Sequence, residues 1–247
     1  MSMEFASGER QWRDLLGKLR DVVRQELVTR QLEPYLPGEP ARVLDVGCGQ
    51  GTQALRVARR GHRVTALDSS QELLDQLTAA LTPDLAVEVV HGSADELPAG
   101  PFDVVLCHGV LMYFEDPAPV LRAIAAVVRP GGLVSLLVRN GDALVLRPGL
   151  RGDWTIAQRA FDDMSYGNRI GVTARADRRA DLWSALAEHG LSVEDWYGVR
   201  VFTDQAPDDA PVPEDLEDLL ACEERAGRTD PYRQVAALTH LIVRRDR

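Results

Sequence analysis

Short apolar runs alternate with longer stretches whose apolar positions recur every three or four residues. Runs at about 42–46, 63–67, 86–91, 104–107 and 133–138 have the length and β-branched content of strands. Between them, 52–60, 70–81 and 117–128 carry helical spacing, and Ser69 or Ser70 offers an N-cap to the second of these. Upstream, Trp12, Leu15, Leu16, Leu19, Val22, Val23 and Leu27 predict an amphipathic helix over 11–32, followed by a linker containing Pro34, Pro37 and Pro40. Short strands alternating with helices imply βαβ units and a mainly parallel sheet, hence an α/β fold. The rhythm breaks at 139–179, where five glycines and isolated apolar residues read as loops and short helices. It returns with a helix at 180–189, a strand at either 191–196 or 199–202, a surface loop at 205–213, a helix at 213–225 and a last strand at 237–244.

Composition narrows the classes. The 247 residues are 45% hydrophobic and 27% charged, an ordinary globular balance for one large α/β domain. No apolar run reaches a membrane span, and the first residues carry no basic and apolar export signal. The three cysteines, Cys48, Cys107 and Cys222, are far apart and do not suggest a disulfide framework, so the cytoplasm is the expected compartment. His62, His91, His189 and His240 show no ligand spacing with each other or with the cysteines, so no metal is expected. The formal charge of −10 disfavours broad phosphate binding, yet it is uneven. Residues 139–179 hold eight arginines against five acids, whereas 204–218 hold seven acids and no base.

The most informative stretch is Val43-Leu44-Asp45-Val46-Gly47-Cys48-Gly49-Gln50-Gly51, a strand running into a glycine turn before a helix. Such a turn lets a ligand approach the backbone closely. Asp68, ending the next strand, sits where a carboxylate accepts both ribose hydroxyls. A nucleoside cofactor follows. No Lys-Ser/Thr pair closes the turn, which rules out a mononucleotide P-loop. The dinucleotide pattern needs a third glycine where Thr52 stands; it falls instead at Gly51.

Asp45-x-Gly47-x-Gly49-x-Gly51 resembles the motif of class I S-adenosylmethionine-dependent methyltransferases. Asp68, Ser93-Ala94-Asp95 after the third strand, His108-Gly109 after the fourth, and Arg129-Pro130-Gly131-Gly132 match the same family in order. The resemblance implies a Rossmann-like fold with an antiparallel terminal strand and S-adenosyl-L-methionine as cofactor. Its expected contacts are Asp45, Gly47, Cys48, Gly49, Gly51, Asp68, Ser69, Ser93, Ala94, Asp95 and His108. A narrower resemblance rests on Gly17-Lys18-Leu19-Arg20, His62, Tyr197-Gly198-Val199-Arg200-Val201-Phe202-Thr203-Asp204 and Glu223-x-Arg225…Asp230-Pro231-Tyr232. These are similar to bacterial tRNA methyltransferases that esterify an oxyacetic acid group on wobble uridine. That likeness implies that Arg20 meets the cofactor's carboxylate. It divides the chain into an N-terminal helical segment (1–40), a cofactor-binding half (41–138), an insertion over the acceptor site (139–179) and a C-terminal substrate half (180–247).

Methyl transfer from a sulfonium is an in-line displacement, so positioning carries most of the acceleration. An acceptor carboxylate is already ionised and needs a cation, best a bidentate arginine. A hydroxyl needs a general base, and His108 is the available histidine. Arg200 is the expected acceptor clamp, with Tyr113, Asn140, Tyr166, Arg225 and Tyr232 as further acceptor-pocket residues. The expected partners are tRNA or a small-molecule acceptor; a cofactor-binding protein without catalysis is the alternative of another class.

Overall fold

The computed structural model describes residues 8, 9, 11, 14–168 and 170–247. The first half runs α1 (Leu19–Leu32), β1 (Arg42–Val46), α2 (Thr52–Ala58), β2 (Arg63–Asp68), α3 (Gln71–Ala80), β3 (Val87–His91), β4 (Phe102–His108), α4 (Ala118–Val127) and β5 (Val128–Arg139). The second half runs α5 (Leu146–Leu150), α6 (Trp154–Arg159), β6 (Ser165–Gly167), β7 (Thr173–Arg175), α7 (Arg179–Glu188), β8 (Leu191–Val199), α8 (Leu216–Arg228) and β9 (Leu238–Arg245).

Seven strands form one sheet in the order β3-β2-β1-β4-β5-β9-β8, and β6 pairs with β7 apart from it. The β1–β2, β1–β4, β2–β3 and β4–β5 pairs are parallel, while β9 runs antiparallel to both β5 and β8. This is the Rossmann-like arrangement with an antiparallel terminal strand. Strand order reverses beside β1, because β2 lies on one side of it and β4 on the other. The connections leave in opposite directions there and open a crevice at the strands' carboxyl ends.

The central strands are apolar on both faces because helices cover both. Val120, Leu121 and Ile124 of α4, with Leu182 and Leu186 of α7, pack one face. Ala54, Leu55 and Val57 of α2 and Leu32 of α1 pack the other. Val23, Leu27 and Val28 of α1 meet Leu220 of α8 over Leu137, Val199 and Leu238.

Several boundaries differ from those read off the pattern. The helix expected over 11–32 is interrupted: residues 8, 9, 11 and 14 are helical, Gly17 takes φ +72° and turns the chain, and α1 begins at Leu19. Leu15 and Leu16 continue the helical spacing without continuing the helix, and Trp12 lies outside the described residues. β5 starts at Val128, but its ladder jumps from Phe102↔Val128 to Val104↔Leu133, so Arg129-Pro130-Gly131-Gly132 bulges out as the expected turn. A single strand, β8, replaces the two alternatives at 191–196 and 199–202. α8 lies three residues later than expected at both ends, with Glu217 and Asp218 in its first turn and Arg225 and Arg228 in its last, each favourable to the helix dipole.

Candidate active site

A cavity of about 420 Å³ opens at the carboxyl ends of β1, β4 and β5. A narrower slot of about 50 Å³ lies against it between Asp68, Ser69, Ala94, Val110 and Phe114. Gly47 and Asp68 line both.

One wall is the glycine turn. Gly47 (φ +69°) and Gly51 (φ +83°) are left-handed, and a Cβ on either would lie 2.4 Å from Val110 Cγ2 or 2.3 Å from Leu77 Cδ1. Both conformation and space therefore demand glycine. The turn's N–H groups are already committed. Gly47 N and Cys48 N donate to Leu67 O at 2.8 and 3.0 Å, and Gly49 N donates to Asp68 Oδ2 at 2.8 Å. They cannot also cradle a phosphate. Asp68 Oδ1 accepts from Ser70 N at 2.9 Å, so each carboxylate oxygen keeps a lone pair for a further donor. Asp45 sits beneath, accepting from Ala54 N in the first turn of α2, where Gly51 as N-cap has no side chain to offer. Burial, reinforced by Asp68, pushes the Asp45 carboxyl up to about 7. Burial likewise raises the Cys48 thiol, keeping it protonated.

The opposite wall is cationic. Asp204 is buried and receives Arg20 at 3.0 Å, Arg200 at 3.2 Å, and Arg139 and Arg147 at 3.5 Å. Asp208, half-exposed, receives Arg20 at 2.5 Å and Arg147 at 3.5 Å. Four guanidiniums against two carboxylates leave a net charge of about +2 facing the cavity. Burial alone would raise the Asp204 carboxyl, but Arg200, Arg139 and Arg147 hold it below the usual range. Arg20 and Arg139 are themselves buried, and their Nε atoms have no hydrogen-bond partner among the described residues. Arg139 also stands over the Tyr166 ring, 5.6 Å from its centroid.

Arg200 has φ +62°, the single non-glycine residue with positive φ among the described residues. Such a backbone persists only where its surroundings enforce it. Glu223 does so. Its buried carboxylate accepts from Val201 N (2.7 Å), Phe202 N (3.1 Å), Thr203 N (2.7 Å) and Thr203 Oγ1 (2.7 Å), fixing the turn that follows β8.

Between the walls stands His108. Its Nε2 is 2.8 Å from Ser135 Oγ, which is 2.7 Å from His240 Nε2, and His240 Nδ1 is 2.8 Å from Gln31 Oε1. Burial lowers the His240 pKa to about 3 and drives that of His108 well below its ordinary value, so both rings are neutral.

The cavity brings together Arg20, Asp45, Gly47, Cys48, Gly49, Asp68, His108, Tyr113, Tyr166 and Arg200 of the residues expected from sequence. Ser69 and Ala94 line the slot. Ser93 bonds Asp95 in the exposed loop beside it. Three expected acceptor residues fall elsewhere. Asn140 is buried under the chain, its Nδ2 donating to Gln234 O and Ala236 O, because its amide closes a turn. Arg225 is exposed on the outer surface of α8, and Tyr232 is half-exposed; neither lines the cavity. Sequence reasoning missed Arg139, Arg147, Asp204, Ser135, His240 and Gln31. The available signal was a polar residue inside an apolar strand, as with Ser135 in β5 and His240 in β9.

The sequence profile of the family described as "Methyltransferase domain" matches residues 44–136. The tRNA 5-carboxymethoxyuridine methyltransferase of Escherichia coli (strain K12) is 28% identical over 242 residues, covering 94% of this chain and 92% of that protein. The ubiquinone biosynthesis O-methyltransferase of Xylella fastidiosa is 30% identical over 209 residues, covering 80% of each. Among solved structures, the magnesium protoporphyrin IX methyltransferase of Synechocystis, with bound S-adenosylhomocysteine, superposes with a TM-score of 0.66 at 17% identity, covering 98% of this chain and 95% of that one. With the glycine turn, Asp68 and the cavity at the switch point, these relationships establish that the chain belongs to the S-adenosylmethionine-dependent methyltransferases.

Proposed function

We propose that this methyltransferase transfers its methyl group to a carboxylate oxygen of an anionic acceptor, a modified wobble uridine of tRNA being the first class to test. The observation that carries the reading is the guanidinium wall around Asp204, which faces the cofactor side across one cavity. In this reading the glycine turn packs against the cofactor, Asp68 takes the ribose hydroxyls, and the slot by Ser69, Ala94 and Phe114 holds the adenine. Ser93 and Asp95 flank its edge. Arg20 takes the cofactor's carboxylate, while Arg200, Arg139 and Arg147 hold that of the acceptor, with Tyr113 and Tyr166 beside it. Residues 139–179 cover the acceptor.

Such an acceptor needs no base, because its oxygen is already ionised; S-adenosylmethionine, when bound, would supply an electrophilic methyl group and a neutral thioether as leaving group. The arginines neutralise and align the nucleophile. The name of the Escherichia coli relative supplies the acceptor class, and the cytoplasm is then the compartment. No helix among the described residues is long and apolar enough to cross a membrane.

The test is methyl transfer by the purified chain to tRNA from a strain lacking the uridine ester, read by nucleoside mass analysis. A new methyl ester is expected; free metabolites methylated while tRNA is untouched would sink it. Arg200→Ala should raise the acceptor KM about tenfold, the loss of a charge-assisted contact, with S-adenosylhomocysteine Kd unchanged.

A second reading, O-methylation of a small hydrophobic hydroxyl acceptor, is favoured by exposed Leu150, Trp154, Ile156 and Phe161 and by the ubiquinone-pathway relative. Activity on phenols alone would select it.

A further inference from the structure

The polar chain behind His108 determines which of its nitrogens carries the proton. Gln31 Nε2 donates to Gly198 O at 3.3 Å, and a carbonyl only accepts, so the amide orientation is set. Gln31 Oε1, at 2.8 Å from His240 Nδ1, is then the acceptor, and His240 carries its proton on Nδ1. His240 is fully buried and neutral, so its Nε2 has a lone pair. Ser135 spends its one hydroxyl proton there, at 2.7 Å. The Ser135 oxygen must therefore accept from His108 at 2.8 Å, which puts the His108 proton on Nε2. His108 Nδ1 is left with a lone pair, buried, without a hydrogen-bond partner among the described residues, on a side chain that lines the cavity.

We propose that Gln31, His240 and Ser135 are positioning residues that lock His108 into its Nε2–H tautomer, so that Nδ1 presents a lone hydrogen-bond acceptor to an N–H donor of the bound ligand. The inference rests on the reading of this cavity as the methyl-transfer site. An acceptor carboxylate has no proton to give, so the donor is the α-ammonium group of the cofactor's amino-acid end. Arg20 and His108 then recognise the two charged groups at that end separately, one as a cation and one as a neutral acceptor. Each link in the chain has one permitted direction, and reversing any of them sets two donors or two acceptors face to face.

The test reads the ring directly. Long-range nitrogen–proton correlation spectra of the full, unliganded chain should show His108 with a pyridine-type Nδ1 and a protonated Nε2. An Nδ1–H tautomer, or an averaged pattern, overturns the proposal without any variant being made. Ser135→Ala should convert the His108 signals to an averaged pattern, and Ser135→Thr, which restores the hydroxyl, should return the single tautomer. In the Ser135→Ala variant S-adenosylhomocysteine should bind about fivefold more weakly, the worth of one hydrogen bond to a charged group lost in part. The analogue lacking the α-amino group should bind variant and wild type alike. Equal weakening of both ligands overturns the assignment of the donor; unchanged ring signals overturn the positioning role. A wild-type chain that binds no S-adenosylhomocysteine would instead overturn the reading of the cavity, while the unliganded spectra still decide the tautomer.

Discussion

The two walls of the cavity are built in opposite ways. The glycine wall comes from one stretch of chain, residues 45–51, plus the tip of the neighbouring strand, and its parts are fixed by local backbone geometry. The arginine wall is gathered from the start of α1, the end of β5, α5 and the turns after β8, and its parts are fixed by mutual charge. The first tolerates almost no added atom, the second almost no lost charge. In the proposed reading, the wall for a constant cofactor is held by sterics, and the wall for a variable acceptor by long side chains around a counter-ion.

Substitutions on either wall test this contrast. The largest effect is expected for Gly47→Val, which combines a strained φ with a side chain driven into Val110. It should cost about 4 kcal/mol of stability and abolish cofactor binding in calorimetry, since strain and overpacking each cost about 1–3 kcal/mol. Near-normal binding would show that the turn is more plastic than its geometry. Asp204→Asn, by contrast, keeps shape and removes charge. Four arginines would lose their common partner, and denaturant unfolding should record a loss of about 3 kcal/mol, in the range for breaking a buried pair.

A milder probe separates the walls functionally. Glu223→Gln weakens the bonds that hold the turn carrying Arg200 and should cost about 2 kcal/mol. The acceptor KM should rise while the S-adenosylhomocysteine Kd stays constant; a shift in both would mean that the walls are mechanically coupled. The last probe is pH dependence. Asp45 has an unfolded value near 3.8 and a folded value of about 7. Between these the folded state holds the extra proton, so the group's contribution to stability falls as pH rises from about 4 to about 7. Asp45→Asn should flatten that part of the profile of thermal midpoint against pH.

The contrast also explains what could be read from the sequence. Strand runs, the order of elements and the glycine turn are encoded within a few residues, and so was most of the cofactor side. Arg20 and Arg200 were found through family likeness, but the same reasoning drew in Arg225 and Tyr232, which share a stretch of sequence with the site and not its space. Asp204 was visible as the end of a family motif and the edge of an acidic tract, with no role attached. Its meaning required the four chain segments to converge, and convergence is not a property of spacing. Gly17 misled for a different reason: Leu15, Leu16 and Leu19 keep helical periodicity across a residue whose backbone leaves the helix. Ser135 and His240 could be flagged as polar residues in apolar strands. Their meeting depends on the β5–β9 register, where His240 stands opposite Leu137, two residue pairs from Ser135's own level.

That register has a consequence for how the enzyme comes into being. β9 is the last strand in the chain, yet it lies inside the sheet, between β5 and β8. A nascent chain can assemble β1 to β5 and the glycine turn while its remainder is still being synthesised. It cannot join β8 to the sheet, set the turn of Arg200 against β5, or place His240 behind Ser135 until residues 238–245 have emerged. The glycine wall is therefore available early, and the arginine wall is completed last, with the strand that closes the gap.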